Sequence, residues 1–146
     1  MKMVQGLGPI KIVMIDDDSD DIFLTKIACK RSVSSIDFKG LASGAALYDH
    51  IKYNGMGSID IILLDVNMPV ENGYEVLKKL KAYPNFNDVN VVMFSTTRRP
   101  HEKELALELG ATDFIEKPSS VAEVDNFIKR LESYSSKVSS VLQAAE

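Results

Sequence analysis

Short apolar runs alternate with longer stretches of helical periodicity, five times along the chain. Lys11 to Ile15 (KIVMI) is short, β-branched and followed by charge, which predicts a buried strand. Ser19 to Arg31 predicts a helix, with Asp18 or Ser19 as its cap and Asp20 and Asp21 in its first turn. Ile36 to Leu41 alternates moderately and predicts a second strand; Gly44 to Tyr53, behind Ser43, predicts a second helix. After the loop Asn54 to Ser58, the run Ile59 to Leu64 (IDIILL) predicts a buried strand with Asp65 at its end. A helix over Gly73 to Tyr83 is stopped by Pro84. Val89 to Phe94 predicts a strand ending at Ser95, and Pro100 to Leu109 a helix with Gly110 just past its end. Thr112 to Ile115 is a short strand, and Ser119 or Ser120 caps a last helix through Leu131. Buried apolar strands alternating with helices imply a parallel sheet covered on both faces.

Composition narrows the class. The 146 residues suit one domain, and 45% hydrophobic with 26% charged residues excludes whole-chain disorder, collagen or coiled coil. A net charge of -4 without a basic run gives no nucleic-acid surface. The lone Cys29 excludes an internal disulfide, and two histidines, His50 and His101, make a histidine metal centre a poor reading. The longest apolar run, Ile61 to Leu64, is far too short for a bilayer. The start runs into Asp16-Asp17-Asp18 without a small-residue cleavage site, so a reducing, cytoplasmic setting is expected.

In an open parallel sheet, ligands bind beyond the carboxyl ends of the strands. The residues just past each strand are therefore the candidates: Asp16, Asp17 and Asp18; Asp65; Ser95, Thr96 and Thr97; and Lys117 followed by Pro118. Carboxylates gathered in a partly buried cleft repel one another, and a hard cation such as Mg²⁺ relieves this. A phosphoryl group is the natural further ligand, since its transfer needs positioning and charge neutralisation. Lys117 and the Ser95 hydroxyl suit its oxygens, and one carboxylate suits the nucleophile of an aspartyl phosphate.

The segments VMIDDDSDD, ILLDVNMPVENG, VVMFSTT and GATDFIEKP, in this order, resemble the receiver domain of two-component response regulators over residues 10–132. Residues 1–9 then form a tail and 133–146 a C-terminal extension. The resemblance implies a flavodoxin-like, doubly wound (βα)5 α/β fold with five parallel strands in the order 2-1-3-4-5. That order is carried over from the chemotaxis member of the same family. The resemblance also implies that Asp65 is the phosphoacceptor. Asp16 and Asp17 hold Mg²⁺ with Asp65 and the Asn67 backbone carbonyl, Asp17 ahead of Asp16 as direct ligand. Ser95 is the switch hydroxyl, and Phe114 the switch aromatic that turns inward; as a residue of a short strand, Phe114 reads equally as core. Lys117 binds the phosphoryl group and otherwise pairs with Asp65. Lys117–Pro118 is expected to be cis. Asn67 and Thr96, which flank the site, are expected to tune the dephosphorylation rate. Lys81 to Phe94 faintly resembles small regulators partnered with bacterial phytochrome kinases.

The expected activity is that of a stand-alone phosphorelay receiver, charged by a sensor histidine kinase or a histidine phosphotransfer protein. It catalyses only its own phosphorylation and dephosphorylation. Output then passes to a target protein through helix 100–109, strand 112–115 and helix 120–132. Leu131, Tyr134, Val138, Val141 and Leu142 continue a helical stripe, which leaves a homodimer and a frayed tail as alternatives. Two rivals come from other classes. One is a phosphorylation-independent interaction module. The other is an aspartate-nucleophile phosphatase, whose second aspartate would stand where this chain has Asn67.

Overall fold

The structure is a computed structural model and describes residues 8–96 and 99–135. Five strands and five helices alternate: β1 (Ile10–Ile15), α1 (Ser19–Arg31), β2 (Ile36–Leu41), α2 (Gly44–Asn54), β3 (Ile61–Asp65), α3 (Gly73–Leu80), β4 (Asn90–Ser95), α4 (Pro100–Glu108), β5 (Asp113–Glu116) and α5 (Val121–Glu132). The strands are all parallel, in the order β2-β1-β3-β4-β5. The fold is the expected flavodoxin-like one.

Alternation along each central strand sends residues to two separate cores. Ile12 and Met14, Ile61 and Leu63, and Val92 and Phe94 meet Ala28 and Cys29 of α1 and Phe127, Ile128 and Leu131 of α5. Val13 and Ile15, Ile62 and Leu64, and Val91 and Met93 meet α2, α3 and α4 through Leu47, Ile51, Val76, Leu77, Leu80 and Ala106. Both faces are covered, so β3 is apolar along its length until Asp65. Burying each of its leucines and isoleucines contributes about 1.5–3 kcal/mol. β2 is an edge strand: Ile36 and Phe38 pack inward while Asp37 and Lys39 face solvent.

Local chemistry sets the boundaries. Asp18, Ser43, Asn72 and Ser120 cap α1, α2, α3 and α5 with their side-chain oxygens. At α3 the cap is reciprocal, Asn72 with Glu75. α3 ends at Leu80, three residues before the expected Tyr83. The residue preceding Pro84 is driven out of the helical region, so the chain unwinds early through tight bonds from Ala82 N–H to Lys79 O and from Tyr83 N–H to Leu80 O. The Asn54–Ser58 loop is a turn on Gly55, whose φ is +82°, followed by one 3₁₀ turn. Tyr134 and Ser135 close the described C-terminal end; Val138, Val141 and Leu142 lie outside the described residues. Among the described residues no helix is long and apolar enough to cross a membrane.

Candidate functional site

Parallel strands bring their carboxyl ends to one rim, and the register aligns them. Ile15 is level with Leu64, Asp65 with Phe94, and Ser95 with Glu116. Asp16, Asp65, Ser95 and Lys117 therefore converge from four strand ends. The Lys117 N–H donates to Ser95 O at 2.7 Å, which fastens the β5 end to the β4 end. Gly73 brings the α3 N-terminus against β3. A Cβ there would stand 2.4 Å from Asp65 O, so only glycine permits the approach.

The carboxylates are buried to different depths. Asp16 is 0% exposed and Asp65 3%, whereas Asp17 is exposed. One oxygen from each of Asp16, Asp17 and Asp65 fits within 4.8 Å of the others. Asp16 Oδ1 accepts from Asp18 N–H at 2.9 Å, while its buried Oδ2 has no aligned hydrogen bond. Asp65 Oδ1 accepts from Asn67 N–H at 3.2 Å. The Asn67 side-chain amide donates to Ser95 Oγ at 3.2 Å, tying the wholly buried Ser95 to the loop after β3.

Lys117 Nζ supplies the positive charge. It stands 2.8 Å from Asp21 Oδ2, 3.2 Å from Asp16 Oδ2 and 3.5 Å from Asp65 Oδ2, and 5.2 Å from the centre of the Phe94 ring. One ammonium is thus shared among three carboxylates, and the local balance stays negative. Burial pushes the Asp16 carboxyl up to about 7; the Asp65 charge adds to this, and the Asp18 N–H and Lys117 only partly oppose it. Burial raises Asp65 too, against the pull of Lys117 and the Asn67 N–H. Burial alone would lower Lys117, but Asp21, Asp65 and Asp16 outweigh it and raise the ammonium above its ordinary value.

Most of this site is legible in the sequence: Asp16, Asp17, Asp65, Asn67, Ser95 and Lys117 meet at one rim. Asp21 is the residue that sequence reasoning misses, placing it only in the first turn of α1. The signal that could have found it is helical phase. Asp21, Thr25, Ala28 and Cys29 fall at i, i+4, i+7 and i+8, and the last three are buried, so Asp21 begins the inward stripe of α1. The cis expectation at Lys117–Pro118 is corrected, since no peptide bond among the described residues is cis. Trans is the lower-energy X–Pro isomer. The Ser95 bond and the three ion pairs already direct the lysine. Phe114 is buried on the α4 side with Met93 and Ala106, the position its core reading requires. Thr96 is exposed just beyond β4, and Thr97 lies outside the described residues.

This donor set suits a hard divalent cation. Its ligands are all oxygens, one of them a buried carboxylate oxygen without an aligned donor, and the group carries more negative charge than Lys117 cancels. Among them Asp65 is a buried carboxylate beside the Lys117 ammonium, groups that phosphoryl transfer can use.

Comparison with known proteins bears on the family and the fold. The family model for the response regulator receiver domain matches residues 12–129. The two-component response regulator ARR3 of Arabidopsis thaliana is 32% identical over 88% of this chain and 61% of its own length. The transcriptional regulatory protein PrrA of Mycobacterium tuberculosis is 31% identical, over 88% of this chain and 52% of its own. A probable cyclic di-GMP phosphodiesterase of Vibrio cholerae is 28% identical over 81% of this chain and 25% of its own. The chain thus spans a quarter to three fifths of the length of these relatives. Among solved structures, a phosphorylated cyanobacterial phytochrome response regulator, RcpA, superimposes with a TM-score of 0.74 at 24% identity, covering 87% of this chain and 94% of that one. The Vibrio cholerae chemotaxis protein CheY4 superimposes at 0.72 and 21%, covering 84% and 98%.

Proposed function

The chain belongs to the response regulator receiver domain family, and from this we propose that Asp65 accepts a phosphoryl group from the phosphohistidine of a sensor kinase or a phosphotransfer protein. A carboxylate oxygen of Asp65 attacks phosphorus, the P–N bond to the donor imidazole breaks, and an acyl phosphate forms. The observation that supports this reading most is the charge gathered at one buried carboxylate, with Asp16, Asp17 and Lys117 all close to Asp65.

Asp16, Asp17 and Asp65, with the Asn67 carbonyl, would hold Mg²⁺. When bound, the cation neutralises carboxylates that otherwise repel the incoming phosphoryl oxygens. The chain's own groups do the rest. Lys117 bonds a non-bridging oxygen and offsets its charge. Asn67 orients the Asp65 carboxylate through its N–H and holds the Ser95 hydroxyl through its side chain. Ser95 Oγ, held at the rim by the Asn67 side chain, would move onto the phosphoryl group. That motion would shift a two-state equilibrium at α4, β5 and α5, with Phe114 packed in the core that Ala106 of α4 shares. The output is a protein–protein contact. The domain catalyses only its own charging and discharging.

The experiment is labelling with acetyl phosphate in Mg²⁺. Asp65→Asn is expected to abolish labelling, whereas retained labelling of a folded variant overturns the assignment.

A further inference from the structure

The nearest anion to the Lys117 ammonium is none of the three carboxylates assigned to phosphoryl and metal chemistry. It is Asp21, at 2.8 Å, against 3.2 Å for Asp16 and 3.5 Å for Asp65. Asp21 sits on the inward stripe of α1 above the buried Thr25. Its side chain is about a third exposed, so it meets the lysine at the mouth of the pocket rather than on its floor. It is not among the carboxylates whose oxygens cluster within 4.8 Å of one another, which are Asp16, Asp17 and Asp65. The Phe94 ring beneath the ammonium lies in the α1–α5 core, so ring and carboxylate together hold Nζ on the α1 side of the rim.

We infer that Asp21 is a positioning residue: it holds Lys117 toward α1 and competes with the phosphoryl group for it. The inference rests on the phosphoacceptor reading given above and adds to it a restraint on the resting state. To bond a phosphoryl oxygen on Asp65, Lys117 must give up part of its pairing with Asp21. A partly exposed ion pair of this kind is weak. Its loss therefore changes an equilibrium by a small factor, which suits an adjusting role. In this inference Asp21 acts through Lys117 and not on the nucleophile itself.

The test is an equilibrium measurement. Beryllofluoride, an inert phosphoryl mimic, is titrated in Mg²⁺ into the full chain carrying Asp21→Asn, followed by the amide spectrum. Affinity is expected to rise about two- to five-fold over wild type. Asp21→Glu should bring it back toward the wild-type value, because a carboxylate is restored. In a Lys117→Ala background, Asp21→Asn should have no effect. Mg²⁺ affinity, measured separately without beryllofluoride, should change less than about threefold, since Asp21 is not a ligand. An unchanged or weakened beryllofluoride affinity, the same rise without Lys117, or a tenfold loss of Mg²⁺ binding each overturns the inference. Wild-type protein that fails to bind beryllofluoride at Asp65 overturns the phosphoacceptor reading itself, so the two failures are separable.

Discussion

Two aspartates, at opposite ends of the sheet, are buried almost equally and behave in opposite ways. Asp16, beyond the carboxyl end of β1, is 0% exposed; Asp113, at the start of β5, is 6% exposed. Asp113 is saturated. It accepts from Phe114 N–H at 2.8 Å and from Arg130 Nε and Nη2 at 3.1 and 2.6 Å; the Tyr134 hydroxyl donates to it, and Lys103 stands 3.9 Å away. Burial pulls its carboxyl up, yet Tyr134, the Phe114 N–H and Arg130 outweigh that and hold it below the usual carboxylate value. Asp16 has one N–H and a shared ammonium, and its carboxyl rises. Burial is therefore not the mark of function here. Under the proposed function, what sets Asp16 apart is burial with few partners at the rim where the strand ends converge. A fully partnered carboxylate stabilises the fold, and an under-partnered one is held ready for a ligand at some cost to stability.

That contrast is open to attack from both ends. The largest effect on stability is expected at the saturated end. Asp113→Ala should destabilise the protein by about 2 kcal/mol, read by denaturant melts, because Arg130, Tyr134 and the Phe114 N–H lose a charged acceptor together. Mg²⁺ affinity should stay within about twofold, and a large loss there would blur the division between the two ends. At the other end, Asp16→Asn should weaken Mg²⁺ binding at least about tenfold by calorimetry. In metal-free buffer it should leave stability unchanged or raise it, since it removes a poorly compensated buried charge. A loss of about 2 kcal/mol would make Asp16 a structural residue like Asp113.

The pH dependence of the saturated end follows from its sign. The folded pKa of Asp113 is depressed, so its contribution is complete above the unfolded value near 3.9 and is lost as pH falls through the lower folded value. The stability gap between wild type and Asp113→Ala should be constant from about pH 7 to 5 and should close below about pH 4. A gap that closes on the alkaline side would reverse the assignment. The smallest effect concerns Val70, in the loop that carries Asn67. Its φ is +70° and its side chain is fully exposed, so a β-branched residue holds a left-handed conformation without burial in return. Val70→Gly should gain about 0.5 kcal/mol, the strain relieved less the entropy of an added glycine.

The same distinction explains what is readable in the sequence. Strands β1, β3 and β4 announce themselves because both faces are apolar, and the residue that breaks each run, Asp16, Asp65 or Ser95, is a site residue. Local pattern and local chemistry agree there. Asp21 is hidden because an acidic first turn is ordinary helix chemistry, and only the phase of α1 shows which acid faces the rim. The end of α3 is overrun because apolar spacing continues to Tyr83 while the backbone is already constrained by Pro84. The saturation of Asp113 cannot be read at all. Its partners Arg130 and Tyr134 lie 17 and 21 residues away, and nothing local marks them.

All of this depends on one pocket gathering metal, lysine and a single nucleophile. The sharpest trial is to label with acetyl phosphate, reduce the acyl phosphate with borohydride and map the modified residue by mass spectrometry, with and without Mg²⁺. One adduct is expected, on Asp65, formed only with the metal. An adduct on another residue, or the same yield on Asp65 after chelation, would contradict it.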